Sequence, residues 1–240
     1  MTPVDVKTTV ISITFAALLT GCGGDGGSAD DATGGASTGG SAPTGGTAGS
    51  AGTATGGSGG TVVVPTPDGE LFMDDFETGI TKWDVTQGTC SITADETNVL
   101  NCINMGNEAR AVAGDVWGEY SVSARVKVNA MDLDRRIYLA GRFTDSNNWY
   151  GAAIFNSTPI EIQIRKKVGG ASSDIAQTSY PIEFGTWYTL KLEMKGSTLR
   201  MFVDDILQFE VTDTQFSSGK VALLVDRSDV SWDNVLVTNP

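Results

Sequence analysis

The stretch YSVSARVKV alternates without a slip: Tyr120, Val122, Ala124, Val126 and Val128 fall on one parity, Ser121, Ser123, Arg125 and Lys127 on the other. Successive side chains of a strand point to opposite faces, so this pattern suits a strand with one face on a core. The period recurs in IEIQIRKKV, where Ile160, Ile162 and Ile164 alternate with Glu161, Gln163 and Arg165. It recurs again in WYTLKLEMK, with Tyr188, Leu190, Leu192 and Met194 inward and Trp187, Thr189, Lys191 and Glu193 outward. TLRMFVD, ILQFEV, GKVALLV and SWDNVLV continue it as further short strands, with turn signals such as Lys195-Gly196-Ser197 and Asp204-Asp205 between them. No segment carries a convincing apolar stripe at helical spacing. About a dozen half-buried strands between Asp68 and Pro240 predict a single all-β domain whose two sheets face each other.

Two cysteines fall inside that domain, placed symmetrically about Glu96 in CSITADETNVLNC. The polar centre ADETN reads as a hairpin turn between CSIT and VLNC, and a disulfide between Cys90 and Cys102 follows across the strands. Closing so short a loop stabilises a fold by on the order of 3 kcal/mol when unstrained. Neither cysteine lies in a Cys-x-x-Cys motif, the usual mark of a reactive pair.

Charge and composition narrow the chemistry. The chain carries 29 Asp and Glu against 16 Lys and Arg, and no histidine. With Asp5, Lys7, Asp25, Asp30 and Asp31 set aside, 25 acidic and 15 basic residues remain from Asp68 onward, so the folded part keeps most of the acidity. Nucleic acid is therefore a poor partner, since phosphate binding relies on a basic surface. Without histidine, His-ligated zinc and the Ser-His-Asp and Cys-His arrangements cannot be assembled. Catalysis would rest on carboxylates, Tyr, Lys or a metal held by oxygen.

The N-terminus reads as an export signal: Lys7, then the apolar run VISITFAALL from Val10 to Leu19, then small residues. A bilayer-spanning helix needs about 20 apolar residues, so the run is too short to span. Leu19-Thr20-Gly21-Cys22 resembles a bacterial lipobox. That resemblance implies removal of residues 1–21 as a lipoprotein signal peptide and lipidation of Cys22, which anchors the chain in the bacterial cell envelope. Gly23 in place of a retention aspartate points to the outer membrane or cell surface. Residues 22–67 follow as the lipidated cysteine and a low-complexity linker. From Gly23 to Gly60 it has no aromatic residue and too little apolar surface to offset its ordering entropy. A flexible coil of that length has an end-to-end distance of about 30–37 Å, and the lipid is the chain's expected contact with a membrane.

Within the domain, residues 68–240, five segments resemble in order the concanavalin A-like jelly-roll modules of laminin-G-like and 3-keto-disaccharide-hydrolase-like type. They are DDFETGITKWDV, WGEYSVSARVKV, GRFTDSNNWYGAAI, GTWYTLKLEMKGSTLRMFVDD and SGKVALLVDRSDVSWDNVLV. The resemblance implies a two-sheet antiparallel jelly-roll sandwich of the kind found in exported bacterial proteins, often beside polysaccharide-active enzymes. Modules of this fold bind, hydrolyse or adhere, so function has to come from a site. The Glu-x-Asp-x-x-Glu spacing of related retaining glycosidases, whose carboxyls stand about 5–5.5 Å apart, is not in the sequence. Asp132 and Asp134 in DLDRR read as loop charges paired locally with Arg135 and Arg136. Three readings stay open: noncatalytic binding of a poly- or oligosaccharide, a glycoside hydrolase of the 3-keto-disaccharide type, and an adhesion or structural module with a protein partner.

A binding face is legible in the hairpin around Asp145-Ser146-Asn147-Asn148. A four-residue loop there sets Thr144 opposite Trp149, Phe143 opposite Tyr150 and Leu139 opposite Ile154. Ile137, Leu139, Phe143, Tyr150 and Ile154 then face the core. Tyr138, Ala140, Arg142, Trp149, Gly151, Ala153 and Phe155 take the outer face, and a five-residue turn adds Glu161, Gln163, Arg165 and Lys167 to it. Sugars suit such a surface, because their C–H faces stack on aromatic rings while Arg, Gln, Asn and Glu bond their hydroxyls. The candidate ligand-binding residues are Tyr138, Arg142, Asn148, Trp149, Phe155, Glu161, Gln163 and Arg165. Trp83, Trp117, Trp187 and Trp232 read as packing or strand-edge residues. The jelly-roll resemblance also implies a structural Ca²⁺ where first and last strands meet, and Asp75, Glu77 and Asp233 lie in the corresponding regions. Calcium needs six to eight oxygens, so backbone carbonyls or water would complete the set.

Overall fold

Alternation and turn chemistry together produce thirteen antiparallel strands and no helix in residues 69–240, the part of the chain that this computed structural model describes. The expected signal peptide, Cys22 and the linker lie outside the described residues. In chain order the strands are β1 (Glu70–Asp74), β2 (Trp83–Gln87), β3 (Thr89–Ala94), β4 (Asn98–Trp117), β5 (Tyr120–Met131), β6 (Arg136–Asp145) and β7 (Asn148–Phe155). β8 (Glu161–Val168), β9 (Ala171–Ser179), β10 (Trp187–Lys195), β11 (Thr198–Val203), β12 (Ile206–Thr212) and β13 (Gly219–Thr238) complete them.

They form two layers that share β13. Its first half pairs with β6 and its second half with β5, while β4 and then β1 run along its other side. One layer continues from β5 through β10 and β11 to β12, the other from β6 through β7 and β8 to β9. The jelly-roll sandwich expected from the sequence is thus the observed architecture.

GKVALLV and SWDNVLV, expected as separate strands, are one strand with a bend. Asp226 faces Glu108 and Ser228 faces Asn104, so Met105, Gly106 and Asn107 of β4 loop out opposite Arg227, whose φ is +46°. The Asn104 side chain holds the loop, its Oδ1 accepting from the Gly106 and Asn107 amides and its Nδ2 donating to the Glu108 carbonyl. Strands that change sheet need such a corner.

The inward parities meet as one core. Val122, Ala124, Val126, Leu190, Leu192, Met201 and Trp232 come from the first layer, Ile137, Leu139, Ala152, Ile154, Ile162, Ile164 and Leu223 from the second. The Cys90–Cys102 disulfide forms as expected, with the two residues directly opposite on β3 and β4. Trp83 is a packing residue, and its indole Nε1 donates to Asp74, a carboxylate with 0% exposure.

Two polar devices close one end of the sandwich. The Arg142 guanidinium is 1% exposed and donates to the carbonyls of Gly118, Phe216 and Gly196, tying together three separate connections. Beside it, Asp213 accepts from the Tyr150 hydroxyl, the Lys166 ammonium and the Gln215 amide. Burial and this carboxylate push the Tyr150 hydroxyl up to about 12. Burial works against the Asp213 charge too, but its three donors prevail and hold its pKa below the ordinary value. Its contribution is therefore complete above the unfolded carboxylate range and is lost as pH falls through the depressed folded value. Asp213→Asn is expected to cost about 1–3 kcal/mol at pH 7 and much less near pH 2. Thermal unfolding of both proteins across that range checks it, and a pH-independent difference contradicts it.

Candidate functional site

The β6–β7 hairpin turns tightly. Asp145 pairs with Asn148, and the Asp145 carboxylate accepts from the Asn147 amide and the Asn148 side chain. Beyond the turn the register slips, so that Gly141 faces Tyr150 and Leu139 faces Ala152 rather than Ile154. Two residues of β6 are accommodated as a bulge, with Arg142 at a φ of +45°. A slip of two preserves the faces of Tyr138 and Leu139 but exchanges those of the bulged residues. Phe143 joins the outer face and Arg142 turns into the end of the sandwich, the reverse of the expectation.

The outer face of the second layer reads in rows across the strands. One row runs Arg136, Phe155, Glu161 and Ser179; the next runs Leu224, Tyr138, Ala153, Gln163 and Gln177. A third runs Val112, Ala222, Ala140, Gly151, Arg165 and Asp174. Small residues form the floor, as the alternation implied. A Cβ on Gly151 would lie 3.2 Å from both the Tyr138 and Trp149 rings, so the bare glycine lets both rings lie down on β7.

Trp149 is only 3% exposed, packed with Phe143, Ala140, Ala222 and Leu224 in a small apolar cluster of this face. It is a support, not a free platform. Tyr138, tilted at 4.8 Å against Trp149, is partly buried on the same cluster. Phe155 carries the Arg136 guanidinium 3.5 Å above its centroid.

The polar groups hold one another. Arg136 Nε donates to Gln163 Oε1 at 2.9 Å, and Gln163 Nε2 donates to Glu161 at 2.9 Å. Gln163, at 1% exposure, is therefore a buried spacer that sets the positions of Arg136 and Glu161. Arg165 pairs with Asp174 at 2.6 Å and reaches 3.5 Å from the Tyr138 hydroxyl. Burial raises the Tyr138 pKa, with both arginines opposing. Burial lowers that of Arg136, and the Arg165 charge adds to the effect.

Of the eight expected residues, Tyr138, Phe155, Glu161, Gln163 and Arg165 gather on this face and Trp149 underlies it. Arg142 and Asn148 do not belong to it. Asn148 is a turn residue whose Oδ1 accepts from the Gly169 amide. Arg136 and Asp174 were missed. Arg136, expected in loop pairs with Asp132 and Asp134, opens β6, and Arg135 pairs with Asp226 instead. Two clefts open at the margins: one of about 320 Å³ beside Phe143, Val112, Arg110 and Lys220, and one of about 440 Å³ beyond Ser179, lined by Tyr180 and Pro181.

The three residues expected around calcium are each held by protein donors. Asp75 accepts from the Glu77 amide, both Glu77 oxygens accept from Asn98, and Asp233 accepts from Arg125 and the Asn234 amide. Among the described residues no three Asp, Glu, Cys or His side chains gather as a metal-holding group.

No protein-family model matches the chain. A stretch of 91 residues is 31% identical to a levanase of Bacillus subtilis (strain 168), and covers 38% of this chain and 13% of that enzyme. Among solved structures, carbohydrate-binding module CBM66 from Bacillus subtilis superposes with a TM-score of 0.59 at 22% identity, over 66% of this chain and 96% of the module. A galectin-like protein of unknown function from Bacillus subtilis gives 0.57 at 12% identity, over 71% of this chain and 96% of that one. Domain 4 of an extracellular arabinanase from Geobacillus stearothermophilus, in complex with arabinotriose, gives 0.52 at 13% identity, over 71% and 92%. At these identities the likeness is one of fold.

The floor of the face makes its own prediction. Gly151→Ala is expected to push the Tyr138 and Trp149 rings apart at a cost of about 1 kcal/mol, with a changed near-ultraviolet circular dichroism signal. An unchanged spectrum and melting temperature contradict this account.

Proposed function

We propose that the outer face of the second layer binds carbohydrate without cleaving it, and that the chain is held at the bacterial cell surface by a lipid on Cys22. The observation that carries the reading is the partly buried Tyr138 ring set among Arg136, Arg165 and Glu161 over a floor of alanine and glycine. A sugar ring offers a C–H face to an aromatic ring and hydroxyls to charged neighbours, and few placed polar groups fix its orientation. These side chains are already ordered by Gln163, Phe155 and Asp174, so little rotamer freedom remains to be lost on binding. Noncatalytic action is the simpler chemistry, because Glu161 and Asp174 are each occupied by a neighbouring side chain and, among the described residues, no paired acid and nucleophile stands out. The likeness to a levanase segment, a carbohydrate-binding module and an arabinanase domain supports a sugar as ligand.

Titration calorimetry of the intact protein with levan, arabinan and β-glucan oligosaccharides tests the reading, alongside assays for released reducing sugar. Binding without release is expected, weakened about tenfold or more by Tyr138→Ala or Arg165→Ala and unchanged by EDTA. Release would make the protein a hydrolase, and binding indifferent to both substitutions would move the site elsewhere. For the anchor, an alkynyl fatty acid fed to a bacterial host is expected to label the wild-type chain and not Cys22→Ser. Equal labelling of the two would sink that part.

A further inference from the structure

Two guanidiniums lie over the outer face of β7. Arg136 leaves β6 and crosses over Phe155 to reach Gln163 on β8. Arg165 leaves β8 and crosses in the opposite sense to come 3.5 Å from the Tyr138 hydroxyl on β6. The Arg165 crossing is possible because β7 presents only Gly151 and Ala153 beneath it.

Their positive charge is incompletely answered. Arg165 has Asp174 on its Nε edge. Among the described residues Arg136 has no carboxylate within 4 Å: Asp226 is taken by Arg135, and Glu161 is reached only through Gln163. A guanidinium has five N–H donors. Among the described residues, neither Nη of Arg136 nor Nη2 of Arg165 donates to a protein acceptor, so the outward edges of both forks are open. Lys167, 6.0 Å from the Trp149 ring, adds a third cation to the same face.

We propose that the glycan selected by this face carries a carboxylate: a uronic acid unit ending an otherwise neutral chain. Its carboxylate is received between Arg136 and Arg165, and its ring lies against Tyr138. The inference rests on the carbohydrate-binding reading and names the class of sugar. Planar carboxylates match the guanidinium fork in two parallel hydrogen bonds, which are the stronger, charge-assisted kind. Fixing Arg136 on Phe155 and Gln163 prepares that geometry in advance. One acidic unit fits better than a polyuronate, since the domain itself carries 25 acidic and 15 basic residues.

Titration calorimetry of the intact protein with matched pairs decides it: cellobiouronate against cellobiose, and aldotetraouronic acid against xylotetraose, at 50 and 500 mM NaCl. The acidic member is expected to bind at least tenfold more tightly, with the preference shrinking at high salt. In Arg136→Gln the ratio of acidic to neutral affinity should collapse toward one. Arg136→Lys, which keeps the charge and loses the fork, should restore only part of it. The wild-type ratio and its salt dependence stand as a test even if a variant fails to fold. Neutral sugars binding as tightly as their acidic partners, with sensitivity to Tyr138→Ala, overturn the inference and leave the carbohydrate reading intact. Binding by neither these pairs nor levan and arabinan fragments overturns both.

Discussion

The hydrogen bonds of β13 hold both layers at once, and the remaining geometry follows from that. Twenty residues of straight strand would run roughly 66 Å, whereas a globule of this many residues is about 40 Å across. The strand must bend, and it bends where Asp226–Ser228 meets the bulge at Met105–Asn107 of β4. Each half then commits its inward parity to the same core, Leu223 and Val225 from one layer facing Val230 and Trp232 from the other. Because one strand serves both sheets, neither can slide over the other without breaking the ladder with β4.

Away from that corner the layers are joined by polar groups. Arg142 binds three carbonyls, and Asp213 links Tyr150, Lys166 and the connection after β12. A buried guanidinium without a carboxylate is costly unless its donors are satisfied, and the bulge in β6 is what aims Arg142 at its acceptors. The same bulge sends Phe143 outward to complete the cluster around Trp149. A single irregularity therefore closes one end of the sandwich and builds the support beneath the proposed binding face.

Alternation made the fold readable. Period two survives in β5, β8 and β10 because each keeps one parity on the core, and Glu161, Gln163 and Arg165 consequently appear where the pattern puts them. It fails where a strand departs from regular pleating. GKVALLV and SWDNVLV look like separate strands on either side of the polar DRSD segment, yet backbone pairing carries β13 through it. Arg142 looks like an outward residue by parity, and only its positive φ reveals the swap. Trp149 stands on the outer face as its parity requires, but its burial depends on Phe143, Leu224 and Ala222 from other positions along the chain. Arg136 lies beside DLD, where local charge pairing is the obvious reading, and its true partners, Phe155 and Gln163, are 19 and 27 residues away. Asp75, Glu77 and Asp233 show the converse, since acidic residues near the meeting of first and last strands are each satisfied by protein donors.

An acidic domain with an arginine pair on one face discriminates by distance. At physiological salt the net negative charge acts over about one Debye length, near 8 Å, and opposes the approach of any densely anionic polymer. The guanidiniums act at contact, where exclusion of water strengthens charge-assisted bonds. A ligand with one carboxylate meets mainly the second effect, whereas a ligand with many also meets Glu161, Asp174 and the acidic margin at Asp84 and Asp145. Specificity is a difference between affinities, and in the proposed site the repulsive part of that difference would come from the whole domain and the attractive part from Arg136 on β6 and Arg165 on β8.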